Sequence, residues 1–255
     1  MAGIFISRGM MVAIPAGGLT IGIGKGGDVT SNLTLHVRFD VCPTWTQLSL
    51  RHLQEAKAKR AEREAAWAGI NEEQKSLTLE REFESSMQAI MAAAVAIDAF
   101  YSLIQTHVVL PPSIVEQWRT KRTSRYKQVT EVLRRAFHLK PKGVAILRQN
   151  LKEINRMRDL AIHPSGKIEA PILHPELNIG VEWRFAYFRA HNAELVVNAA
   201  TWILWDLVHG GKPKDSKIAE YMESLRPRLA ELFPNGHPNV AMAAVSEKPF
   251  PCSAF

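Results

Sequence analysis

From Thr44 to Leu110 the chain contains one glycine, Gly69, and no proline. A stretch that long without chain breakers, dominated by Ala, Glu, Lys, Arg and Leu, is committed to helix by propensity. Within it Met87, Ile90, Ala94, Ile97, Tyr101, Ile104 and Val108 recur at alternating steps of three and four. That is the apolar stripe of a helix packed in a bundle, and it predicts a helix over 72–108, stopped by Pro111-Pro112. Upstream, the run QEAKAKRAEREAAW predicts a helix over 46–68. Its opposite charges lie three or four apart, as with Glu55 and Lys59, which favours an exposed surface.

Shorter helices are expected over 113–121 and 124–138. Another runs over 144–162, opened after Pro141 and Gly143 and ended at His163-Pro164, with Leu147, Leu151, Ile154 and Ala161 as its stripe. Residues 164–180 carry Pro164, Gly166, Pro171 and Pro175 at the ends of short apolar pieces and read as a loop. A long helix over 181–209 follows, with Phe185, Phe188, Leu195, Ala199 and Trp202 on its stripe and Gly210-Gly211 at its end. A short helix over 215–232 precedes a proline-containing tail.

The first forty residues have a different texture: β-branched runs (GIFI, MVAI, LTIGI, LTLHVRF) separated by glycine-rich turns. In the last of them Leu33, Leu35, Val37 and Phe39 alternate with polar residues, the period of a half-buried strand. Arg8 interrupts the apolar start, so the segment reads as folded chain and not as a targeting sequence. The expected fold is mainly α: an up-and-down helical bundle over 43–232, a small β extension over 1–42, and a flexible C-terminal tail over 233–255.

Charge narrows the partners. The chain carries 32 Lys and Arg against 25 Asp and Glu, for a net +7. Residues 119–158 alone hold thirteen basic residues and two acids, Glu131 and Glu153, so this block exceeds the surplus of the whole chain. Such a block attracts a polyanion, of which nucleic acid is the commonest, or else forms solvated helix faces. Arg119, Lys121, Arg122, Arg125, Lys127, Arg134, Arg135, Lys152 and Arg156 are the candidate RNA contacts. Trp118 and Tyr126 lie among them, as stacking platforms or as packing residues between helices. The two cysteines, Cys42 and Cys252, can build neither a disulfide framework nor a Cys-rich zinc site. This usage suits a reducing compartment, and the expected location is the cytoplasm. No uninterrupted apolar run reaches bilayer length, so no membrane partner is expected.

Several chemistries lack their motifs. GIGKGG at Gly22–Gly27 has dinucleotide-binding spacing, but DVTSNLTLHV follows it as turn and strand where the mechanism needs a helix, so it reads as a hairpin turn. There is no H-E-x-x-H, no Gly-x-Ser-x-Gly and no P-loop. Neither a catalytic metal nor an organic cofactor is expected. What stands out is NRMRDLAIHP, Asn155–Pro164. Arg158 interrupts the apolar stripe four residues after Ile154 and three before Ala161. A guanidinium there must meet a carboxylate, a groove or an interface. Asp159 follows it, and His163 sits at the helix end. An Arg that neutralises phosphate beside a His able to exchange a proton near neutral pH suits phosphodiester chemistry; an Arg paired to an acid inside the bundle, with a surface His nearby, suits a purely structural role.

The constellation resembles the HEPN family (higher eukaryotes and prokaryotes nucleotide-binding), whose ribonuclease members carry an Arg, a polar residue and a His at the end of a late bundle helix. Here Arg158, Asp159 and His163 match. The segment SSMQAIMAAAVAIDAFYSLI resembles the family's first core helix, and Asp98 is placed like the acid that often pairs with the motif Arg. The resemblance covers about residues 80–210. It implies a homodimer that brings two Arg–His pairs to one cleft and cuts RNA without metal. In that scheme His163 serves as general acid or base, Arg158 stabilises the phosphorane, and Asp159 or Asp98 orients them. It also implies a toxin or defence effector held by an antitoxin or other regulatory protein. A non-catalytic bundle of the same ancestry that binds RNA or a protein is the alternative, and a scaffold docking through the charged helix at 46–68 is a third reading.

Overall fold

A computed structural model describes residues 5–23, 26–163 and 166–238. The chain forms two compact units, Met1–Val41 and Cys42–Phe255. In the first, β1 (Met10–Ala13) pairs antiparallel with β4 (His36–Phe39), and β2 (Leu19–Ile23) pairs antiparallel with β3 (Val29–Leu33). The registers, Met10 with Phe39 and Leu19 with Leu33, make the pairs successive segments of one folded-back ribbon. The β2–β3 register closes on Ile23 and Val29 around the glycine-rich turn, whose Gly24 and Lys25 lie outside the described residues.

The run LTLHVRF is not one half-buried strand. It is divided at Thr34 and Leu35, and every residue of β3 and β4 is exposed. A two-stranded ribbon has no second layer to cover its apolar positions, so alternation in the sequence does not become burial.

The second unit is helical. Its elements are α1 (Cys42–Trp67), α2 (Glu72–Gln105), α3 (Pro112–Thr120), α4 (Arg125–Ala136), α5 (Pro141–Ile162), α6 (Trp183–Tyr187), α7 (Ala190–His209) and α8 (Ser216–Leu232), with a minimal hairpin of β5 (Ile172–Leu173) and β6 (Gly180–Val181). Asn71 caps α2 by accepting from the Gln74 amide at 3.0 Å, and Asp215 caps α8 by accepting from the Lys217 amide at 2.8 Å. The α2 stripe is the spine: Ile90, Ala94, Ile97, Tyr101 and Ile104 are buried among α1, α4, α5 and α7. α2 is long and apolar enough to cross a bilayer, which no sequence run suggested, and more than half of its most apolar window is buried within the bundle.

Three helices depart from expectation. α5 starts at Pro141 and not at 144, because proline at the first helical position surrenders an amide that has no partner there anyway. The expected helix over 181–209 breaks at Phe188 and Arg189, where Phe83 packs on Phe185 and Phe188 with ring centroids 5.2 and 5.8 Å apart. α1 is a packing helix and not an exposed rod. Its inward row of Cys42, Thr46, Ser49, Leu53, Ala56, Arg63 and Ala66 is mostly small or polar, so an apolar periodicity could not show it. Glu55 pairs with His52 at 2.8 Å, while Lys59 pairs with Glu62 at 2.7 Å and not with Glu55.

Arg63 anchors a buried ionic cluster. Its side chain is fully inaccessible and binds Glu82 through Nε and Glu176 through Nη2. Glu82 also accepts from the Ala190 amide at 2.9 Å, which satisfies the first turn of α7 after the break. Arg189 donates to Glu176 at 2.8 Å. Burial alone would raise the Glu176 carboxyl, but Arg60, Arg63 and Arg189 outweigh it and hold it below its ordinary value. One cluster thereby ties α1, α2, the β5–β6 connection and α7.

His174 sits beside this cluster with its pKa pushed down to about 4, by burial first and then by Arg63 and Arg189. His237, packed against Trp202 and Phe233, is pushed to about 4 by burial alone. The folded protein therefore binds fewer protons than the unfolded chain between pH about 4 and 6.5, so the contribution of both imidazoles to stability is complete above that window and lost as pH falls through it. The urea midpoint is expected to hold between pH 7 and 8 and to fall from pH about 6.5 to about 4.5, with a shallower fall in His174→Gln. A flat profile in the wild type would contradict the burial assigned to these imidazoles.

Candidate active site

Asp98, Arg158 and Asp159 meet where α2, α4 and α5 come together. Asp98 lies one turn before Tyr101 on α2, on the side facing both neighbours. Its Oδ2 accepts from Arg158 Nη1 of α5 at 2.9 Å, and its Oδ1 accepts from Arg125 Nε of α4 at 3.0 Å. Arg158 also donates from Nε (3.1 Å) and Nη2 (2.9 Å) to Oδ1 of Asp159. The Arg125 guanidinium lies over the Tyr101 ring, 4.2 Å from its centroid. Burial raises the Tyr101 hydroxyl above its ordinary pKa, with Asp98 adding to the rise and Arg125 opposing it.

Arg158 explains its interruption of the stripe. It stands at the bundle's edge, with 19% of its side chain accessible, and is neither sealed in the core nor free. Two carboxylates hold the guanidinium plane while part of it still faces solvent. Two Arg and two Asp sum to zero here, so an incoming phosphate would find fixed donors whose charge is already balanced and would compete chiefly with the more exposed Asp159.

His163 ends α5 as its C-cap, its amide donating to the Asp159 carbonyl at 2.9 Å. The imidazole is exposed and has no hydrogen-bond partner among the described residues. Pro164, expected to stop the helix, lies outside the described residues. Arg158, Asp159 and Asp98 are thus bonded together, while His163 follows Asp159 by one helical turn and no contact joins its imidazole to them among the described residues.

Of the expected RNA contacts, Arg125 belongs to this corner instead of an open surface, a role its sequence position among many basic residues did not reveal. Arg134 and Arg135 share Glu131, with Nε distances of 2.9 and 2.7 Å, and the Arg134 hydrogen bond chiefly holds the Glu131 carboxyl below its ordinary value. Arg156 pairs with Glu153 at 2.8 Å and stands over the Tyr187 ring. Arg119, Lys121, Arg122, Lys127 and Lys152 are exposed. Trp118 and Tyr126 are half-buried and pack on the core, so packing accounts for one side of each ring.

Among the described residues no group of three His, Cys, Asp or Glu is placed to share a metal ion. The Asp98 bridge makes its own prediction. Asp98→Asn is expected to cost about 1–3 kcal/mol, because it removes the only carboxylate shared by Arg125 and Arg158 among the described residues and leaves Asp159, bonded to Arg158 alone, as the counter-charge to both. A double-mutant cycle with Arg158→Ala, read by urea denaturation, should show coupling of at least about 0.5 kcal/mol; strict additivity would mean that the bridge stabilises nothing. No family model, curated protein or solved structure matches this chain.

Proposed function

We propose that this protein is a HEPN-like, metal-independent endoribonuclease working as a homodimer in the cytoplasm. The reading is supported by one observation above all: Arg158 is oriented by Asp98 and Asp159 yet still solvent-facing, and five residues later the same helix ends in His163, which is exposed and has no side-chain partner among the described residues. A structural arginine needs neither the open face nor the idle imidazole.

The step follows from these groups. The ribose 2′-oxygen attacks its own 3′-phosphorus while one His163 accepts the hydroxyl proton. The phosphorus–O5′ bond breaks, and the His163 of the second protomer delivers a proton to the departing 5′-oxygen. Arg158 neutralises the phosphorane oxygens. The products are a 2′,3′-cyclic phosphate and a 5′-hydroxyl. The dimer, and a regulatory protein that restrains a toxin or defence effector, belong to the same proposal. A single deoxynucleotide on the 5′ side of the scissile bond should block cleavage there, read by gel with chelator present; cleavage that persists would remove the 2′-hydroxyl mechanism.

A second reading has its own support. Arg158 already has both carboxylates as partners, so a bundle that binds RNA without cutting it would keep the same ion pairs.

A further inference from the structure

Three hollows on the α4–α5 face join end to end. The first, about 440 Å³, lies between Tyr126 and the start of α5, with Arg148 and Lys152 on its rim. It shares Pro141 and Val144 with a second, about 530 Å³, rimmed by Arg134, Lys140 and Lys214. The second shares Arg134 and Lys214 with a third, about 430 Å³, reaching Arg135 and His107. Because each neighbouring pair shares lining residues, they form one trench. Along α5 it follows Pro141 to Lys152, a run of about 16 Å at helical rise.

The rim is strongly one-signed. Arg134, Arg135, Lys140, Arg148, Lys152 and Lys214 line the trench. The single acid that does, Asp215, is engaged in capping α8. Lys140, Arg148 and Lys152 have no carboxylate partner among the described residues, so they can neutralise an incoming anion without breaking an ion pair. The uncharged lining between them is mostly apolar, Leu139, Pro141, Val144 and Ala145, with His138 and Gln149 beside them. Cations on the rim with apolar surface beneath suit a strand that lays phosphates on the edges and bases on the floor, whereas a duplex hides its bases. At one end stands Tyr126, and the next residue back is Arg125, already bonded to Asp98 of the candidate active site.

We propose that this trench is the entry track for single-stranded RNA, with a base stacked on Tyr126 and the chain leading from there to Arg158 and His163. The proposal rests on the ribonuclease reading for what happens at the far end. It adds Lys140, Arg148 and Lys214 as contacts, keeps Tyr126 as the stacking platform, and gives the strand a path. Arg119, Lys121 and Arg122 line none of the hollows.

The test is binding of a fluorescein-labelled twelve-nucleotide oligouridine, read by anisotropy on the full chain carrying His163→Ala so that cleavage does not intrude. The combined variant Lys140→Glu, Arg148→Glu, Lys152→Glu should weaken binding at least about a hundredfold near 0.1 M salt and make the slope of log affinity against log salt shallower by roughly two. Tyr126→Leu should weaken it about tenfold with the salt slope unchanged. The control Arg51→Glu, Lys59→Glu, Arg81→Glu makes the same charge change on α1 and α2 and should cost less than about tenfold. All the reversed side chains lie at the surface, and circular dichroism melting confirms that each variant is folded. Equal losses from the two triple variants, equal affinity for duplex RNA, or trench-dependent capture of polyglutamate without capture of RNA would each overturn the proposal. Trench-dependent RNA binding by a wild type that never cleaves would leave the track standing and remove the nuclease. Cleavage unaffected by the trench variant would remove the track alone.

Discussion

Replacing Glu82 with alanine is expected to cost the bundle about 3–5 kcal/mol, a large fraction of the roughly 5–15 kcal/mol typical of a whole domain. The loss has two physical parts. Arg63, fully inaccessible, would keep Glu176 but lose the carboxylate on its Nε, leaving buried positive charge undercompensated. The Ala190 amide would lose its acceptor in the buried first turn of α7, where the break after Tyr187 has already removed an intrahelical partner. The cluster is not saturated: Arg63 Nη1, His174 Nε2 and Arg189 Nε have no hydrogen-bond partner among the described residues. Ion networks of that kind are dear to break and cheap to replace. The paired change Arg63→Met, Glu82→Leu should therefore recover much of what Glu82→Ala loses, while Glu82→Gln, which keeps an acceptor for Ala190, should fall between. Urea denaturation at pH about 7 measures all three. A loss below about 1 kcal/mol for Glu82→Ala would show that the cluster is only geometry.

His163→Ala is expected to lower RNA cleavage by about 10²–10⁴-fold, the range for removing a general acid or base. Arg158→Ala should lower it by about 10²–10³-fold through lost phosphorane stabilisation, and Arg158→Lys should not restore it, since an ammonium cannot bridge Asp98, Asp159 and phosphate from one plane. Stability separates the two residues. His163 is exposed and has no partner among the described residues, so its loss should move stability by no more than about 0.5 kcal/mol. Arg158→Ala removes bonds to both carboxylates and should destabilise measurably. A His163→Ala protein that unfolds early would reveal a structural imidazole and undermine its role in proton transfer.

How much of this was legible in the sequence divides along physical lines. The α2 spine was readable because large apolar residues recur at helical spacing and all of them need burial. The Arg158–Asp98 contact was anticipated through family resemblance, with the broken α5 stripe as its local sign. The inward face of α1 was not readable, because Thr46, Ser49, Ala56 and Arg63 look the same on a solvated helix as on one packed against α2. Nor was the Arg63 cluster: its partners Glu82, Glu176 and Arg189 are spread over more than a hundred residues and join only once the chain is folded. The break before α7 was equally hidden, since helical propensity runs unbroken through Phe188 and what accompanies the kink is tertiary or side-chain in origin: the bonds to Arg189 and Ala190, the Asn192 amide on the Tyr187 carbonyl, and Phe83 against Phe185 and Phe188. Arg125 was lost in a crowd of like charges, distinguished only by the acid and the ring it faces.

The central claim is that Arg158 is held open to receive a phosphodiester beside His163. Its most direct measurement is cleavage of single-stranded RNA in the presence of chelator by the wild type, Arg158→Ala and His163→Ala, with each variant confirmed as folded. The account predicts cleavage by the wild type that leaves 2′,3′-cyclic ends and near-complete loss in both variants. Undiminished cleavage by either variant, or none by a wild type freed of its partners, would contradict it.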